Sequence, residues 1–133
     1  MAQLTSHQAN ELADYFLAIA QAVGDYRYRN NDNLSKSQNT KLKELQGSIR
    51  KYADELYTLS ATLVFDDVKS SLSSIGNVTS QLKSAYKILK DVQKAISIAT
   101  SFATLGEAIL NKNPQAIMDS VFALEDYWKV SEE

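Results

Sequence analysis

One histidine and no cysteine leave this chain a short inventory for chemistry. His7 is its only side chain that ordinarily titrates near neutrality. Acid–base work by histidine and zinc binding both need partners within reach. His7 falls in the first turn of a helical segment, where it reads as exposed and cap-related. Glu11 and Asp14 share a helix face at i, i+3, with no basic group placed to help them. Asp66-Asp67 and Glu125-Asp126 are adjacent pairs, and adjacent helical residues point about 100° apart. Bundle di-iron proteins use Glu-x-x-His pairs, and this chain has none. It also lacks a glycine-rich phosphate loop and a Gly-x-Ser-x-Gly elbow. The expectation is no catalytic residue, no metal ligand, no cofactor and no enzyme.

Three patterns suit binding better. Lys83, Lys87, Lys90 and Lys94 repeat at four, three and four, a basic strip on one helix face. Such a strip can dock an anionic partner, or simply keep a bundle soluble. Residues 35–94 carry ten Lys/Arg against six Asp/Glu, a net of +4, whereas residues 95–133 carry two against six, a net of −4. That asymmetry can orient a partner, or a second copy head to tail. Tyr26-Arg27-Tyr28-Arg29 alternates rings that stack on bases with cations that grip phosphate. Two arginines near a helix end are explained equally by the helix dipole. The third pattern is the uncharged run Ala95–Gly106, extended to Leu110 with Glu107 as its one charge. There Ser97, Ile98, Ser101, Leu105 and Ala108 continue the lysine face, so the helix is apolar or small on all sides. A helix of that kind is buried all round or inserted in a membrane. Burial is the preferred reading, since the run falls short of the ~20 residues of a span.

These residues need helices to carry them. Four glycines and one proline in 133 residues are too few for a turn-rich β fold. Thr5 and Gln8 form a capping-box pattern, and Leu12, Phe16, Ile19, Val23 and Tyr26 then mark one helical face. Asn30-Asn31-Asp32-Asn33 reads as a loop. Leu42, Leu45, Ile49, Tyr52, Leu56, Leu59 and Leu63 form a coiled-coil-like heptad seam. Its phase slips at Phe65-Asp66-Asp67, which marks a bend or a break; the expectation is an irregular helix continuing to Ser74 and stopping at Gly76-Asn77. A third helix carries Leu82, Ala85, Leu89, Val92, Ile96, Ala99 and Ala103. Asn113-Pro114 opens the last helix, with Asn as N-cap and Pro at the first helical position. Ile117, Val121, Leu124 and Trp128 share its inner face, which should cover Ile98, Leu105 and Ile109. Met118 and Phe122 lie off that stripe, on a flank shared with Glu125 and Lys129.

The fold expected is therefore all-α: an antiparallel up-and-down bundle of four helices, over about 5–29, 36–74, 78–111 and 114–130, in one domain spanning 1–133. The residues Met1–Ser6 lack the pattern of a secretory signal, and the absence of cysteine suits a reducing cytoplasm. The function expected is a non-enzymatic interaction or scaffold module that binds a protein partner or itself as a homo-oligomer. Candidate contact residues are Lys83, Lys87, Lys90, Lys94, Ile98, Leu105, Met118 and Phe122. One rival is a membrane-active helical protein deploying 95–110. Another is a weak binder of anions or nucleic acid through the lysine strip. Nucleic acid and membrane both rank behind protein.

Overall fold

The computed structural model describes residues 6–58, 66–111 and 113–132 of the chain. Among them are five α-helices and no strand: α1 (Ser6–Arg29), α2 (Lys36–Thr58), α3 (Asp66–Ile88), α4 (Val92–Leu110) and α5 (Pro114–Glu132), with a 3-10 turn at Asn31–Asn33 between α1 and α2. The expected all-α class holds, and the expected count of four helices does not. The sequence-predicted second helix ends at Thr58, and the next begins at Asp66. The predicted third helix is also divided, between Ile88 and Val92.

The start of α2 is fixed by a reciprocal capping box. Ser35 N–H donates to Gln38 Oε1 at 2.9 Å, and Gln38 N–H donates to Ser35 Oγ at 3.1 Å. The start of α4 is fixed by Asp91, in extended backbone, whose Oδ1 accepts from Lys94 N–H at 3.2 Å. Tyr86 Oη donates to Ala95 O at 2.8 Å and so bridges the break between α3 and α4. The start of α5 is as the sequence implies, with Asn113 Oδ1 accepting from Ala116 N–H at 3.1 Å and Pro114 next in line. Thr5 and its capping partnership lie outside the described residues.

The buried apolar residues form one cluster. The α1 stripe of Leu12, Phe16, Ile19, Val23 and Tyr26 is fully buried. From the heptad seam Leu42, Leu45, Ile49 and Leu56 are buried and Tyr52 is half-buried, while Leu59 and Leu63 lie outside the described residues. Packing along the chain pairs α1 with α2 and α3, α2 with α4, and α5 with both α3 and α4. α4 also touches α1, so three helices cover its apolar residues, but Gln93, Thr100, Thr104 and Glu107 form an exposed polar face, and the helix is not buried all round as the sequence suggests. Ala95, Ile98, Ala99, Phe102, Leu105 and Ile109 are all at zero exposure. Ile117, Val121 and Leu124 of α5 are buried as its inner face; the side chain of Trp128 lies outside the described residues.

Two glycines lie directly beneath aromatic rings of neighbouring helices. A Cβ on Gly106 would lie 2.7 Å from Tyr52 Cδ2 and 2.8 Å from Phe16 Cε2. Beside it the rings of Phe16 and Phe102 meet edge to face, with centroids 5.0 Å apart. A Cβ on Gly76 would lie 2.7 Å from Tyr15 Oη. Gly76 thus sits inside α3 and makes room for a tyrosine of α1, instead of ending a helix as the sequence suggests. Gly47, in contrast, faces open space on α2.

Helix propensity and packing make opposite demands at these positions. Gly47→Ala should stabilise by about 0.5–1 kcal/mol through propensity alone. Gly106→Ala should destabilise by roughly 1–3 kcal/mol, because two aromatic rings must shift. Urea denaturation of the two variants gives the comparison. Equal stabilisation by both would mean that α1, α2 and α4 do not meet at Gly106.

Candidate functional site

The carboxylates singled out on α1 are already engaged. Glu11 accepts the hydroxyl of Tyr15, and Asp14 accepts the hydroxyl of Tyr57 from α2. Both phenol pKa values are pushed up to about 12, first by these hydrogen bonds and then by burial. A phenol that holds its proton this firmly is a poor acid or base at neutral pH, and the Tyr57–Asp14 bond ties α2 to α1. Among the described residues, no three His, Asp or Glu side chains come together as a metal site needs.

The two arginines of Tyr26-Arg27-Tyr28-Arg29 are also engaged. Arg27 donates from Nε to Asn39 Oδ1 and from one terminal nitrogen to Gln46 Oε1, each at 3.0 Å, which secures α1 to α2. Arg29 donates from its two terminal nitrogens to the carbonyls of Lys87 and Tyr86, both at 2.6 Å. Those are among the last carbonyls of α3, so Arg29 caps the negative end of a neighbouring helix and not of its own. Tyr26 is buried against Tyr86, with ring centroids 5.7 Å apart, and burial pushes both phenols upward. Of the four residues only Tyr28 projects freely, at 87% exposure.

The lysine strip is not one helix face. Lys83 and Lys87 are exposed on α3, Lys90 is exposed in the turn, and Lys94 is half-buried in the first turn of α4. The physical reason is the Asp91 cap, which redirects the chain between the second and fourth lysines. Lys83 and Lys87 instead join α1 in lining a groove of about 350 Å³. Its α1 wall is formed by Ala18, Gln21, Ala22 and Asp25, and Tyr28 and Arg29 close one end. A second, more polar hollow lies around Asn31, Asp32 and Asn39 at the α1–α2 turn.

Of the apolar candidates, Ile98 and Leu105 are fully buried and therefore inaccessible to a partner in this fold. Met118 and Phe122 of α5 are exposed at 42% and 57%. They are one turn apart on the flank of α5, off the stripe of Ile117, Val121 and Leu124. Ile88, at the end of α3, is a third exposed apolar residue that the periodicity did not mark. It stands out only once the helix is known to stop there.

The tyrosine–carboxylate bonds have a pH signature. Their folded pKa values lie above the unfolded value of about 10, so their contribution to stability is complete below pH ~10. It is lost as pH rises through 12. Tyr57→Phe should remove an ultraviolet titration component near pH 12 and flatten the decline in stability above pH 10. A difference titration centred near pH 10 would show that Tyr57 does not bond Asp14 in solution.

No family model, no curated protein and no solved structure matches the chain, so a functional reading rests on the geometry of these surfaces.

Proposed function

We propose that this chain is a non-enzymatic helical interaction module that presents the outer face of α5 to a protein partner. The observation that carries the reading is the pair Met118 and Phe122. An amphipathic helix covering a core needs one apolar face, and α5 has it in Ile117, Val121 and Leu124. A second apolar pair on the flank of that face, off the core stripe, leaves a methionine and a phenylalanine 42% and 57% exposed. Both residue types are enriched where proteins bury surface against each other. The carboxylates of Asp119, Glu125 and Asp126 surround the pair, as the polar rim of a contact patch does.

The reading takes α1 and α2 as an antiparallel pair in a single cytoplasmic domain; α3 packs mainly on α1 and α5 and not on its chain neighbours, which departs from a simple up-and-down order. Arg27 near the end of α1 reaches Asn39 near the start of α2, while Tyr57 near the end of α2 reaches back to Asp14. Contacts in that order suit helices of opposite direction. The membrane rival would have to draw α4 out of the cover of three other helices. Among the described residues no helix is long and apolar enough to cross a membrane. The nucleic-acid rival rested on a continuous lysine strip and free arginines, and neither arrangement is present.

The test is a photo-reactive amino acid at Met118, in the cell that makes the chain. It should capture a discrete protein, and the same group at exposed Thr104 of α4 should capture none. Adding Phe122→Gln should abolish the adduct while changing stability by less than about 0.5 kcal/mol, since the side chain supports no core contact. Absence of any adduct from position 118 would overturn the reading.

A further inference from the structure

We infer that the partner of the α5 outer face is a second copy of this chain, which receives that face in its α1–α3 groove. The inference rests on the α5 reading above and supplies the partner that reading leaves open.

The two surfaces are opposite in charge. Around the groove stand Lys83, Lys87 and Arg29, opposed by one carboxylate, Asp25. On α5, Gln115, Met118, Asp119, Phe122, Glu125 and Asp126 fall within an arc of about 120° at ~100° per residue. Met118 and Phe122 occupy its middle, with Glu125 on one side and Asp119 and Asp126 on the other. No lysine or arginine interrupts the sequence from Pro114 to Tyr127. A strip of three carboxylates about an apolar pair thus faces three cations about a groove.

Shape agrees with charge. Ala18 and Ala22 lie one turn apart on the α1 side of the groove, and small side chains let another helix approach closely. Lys83 and Lys87 lie one turn apart on the α3 side, the same spacing as Met118 and Phe122. Tyr28 supplies an exposed ring at the groove's end, where an aromatic or methionine side chain can pack.

The pairing is between chains. In its own chain α5 lies on α3 and α4 with Met118 and Phe122 turned to solvent, while the groove lies between α3 and α1. One copy's α5 therefore meets another copy's groove, a head-to-tail contact between unlike surfaces that leaves one of each free to continue. Contacts among exposed charges weaken as salt rises.

Charge reversal on each side separates this pairing from non-specific sticking. One variant carries Lys83→Glu and Lys87→Glu; the other carries Asp119→Lys and Asp126→Lys. All four positions are exposed, and circular dichroism verifies that both variants fold. Light scattering on the full chain should show a mass that grows with concentration and falls toward the monomer with added salt. Each variant alone should associate at least about a hundredfold more weakly, because like charges then face each other. An equal mixture of the two should recover association, since each inverted surface meets its complement. A lysine variant that associates like the parent, or a mixture that stays monomeric, would overturn the pairing. A monomeric parent whose cross-linker at position 118 still captures a different protein would overturn the pairing alone. A monomeric parent with no adduct would overturn the α5 reading as well.

Discussion

The close approach of three helices at Gly106 sets the rest of the arrangement. With no Cβ there, the rings of Phe16 from α1 and Tyr52 from α2 press against the backbone of α4. Interiors are packed to near crystal density, so a contact this close fixes the distance and rotation of its helices within narrow limits. Once α4 is held against α1 and α2, its remaining apolar residues need another cover, and α5 supplies it. The apolar residues of α4 are thereby covered within the chain, and only its polar face, with Thr100, Thr104 and Glu107, meets solvent. The same fact turns the outside of α5 into surface, because a helix used as a cover has only one face to spend on the core.

A second set of interactions organises the end where α1 and α3 stop. Arg29 satisfies two carbonyls of α3, Tyr86 reaches past the break to Ala95, and Asp91 starts α4. Each closes backbone groups that a helix end leaves open. Together they let the chain turn between Ile88 and Val92 without glycine or proline. The turn brings Lys87 and Arg29 close together, so the basic end of the groove is produced by the same bonds that stop the helix.

The apolar stripes of α1, α2 and α5 were legible because period 3.6 is a property of the sequence itself. So were the Asn113-Pro114 boundary and the unusual position of Met118 and Phe122 off their own stripe. The break after Ile88 was not legible, because Leu89, Val92 and Ile96 keep helical spacing straight across it. Only Asp91 signalled it, and a lone Asp in a helical pattern is more often an exposed side chain. Gly76 misled for the opposite reason. Glycine after a helix and glycine beneath a neighbouring ring look alike in sequence, and only Tyr15 distinguishes them. The capping box is visible in the letters, as Ser35 followed three residues on by Gln38. The groove was not legible at all, since Ala18 and Lys83 become neighbours only through packing.

The basic groove and the acidic helix differ in how closely they are bound up with the fold. Arg29 is fixed in place by the carbonyls it caps, so it cannot be exchanged without loosening the end of α3. Lys83 and Lys87 are exposed, as are Asp119 and Asp126. Exposed charges contribute little to stability singly, so the fold sets no strong constraint on their signs. Yet Lys83 and Lys87 line one groove a turn apart, and Asp119, Glu125 and Asp126 rim one apolar pair. Solubility alone is better served by mixing both signs on each face. The uneven sign of the two surfaces, with Asp25 the one carboxylate in the basic groove, is therefore not something the fold requires.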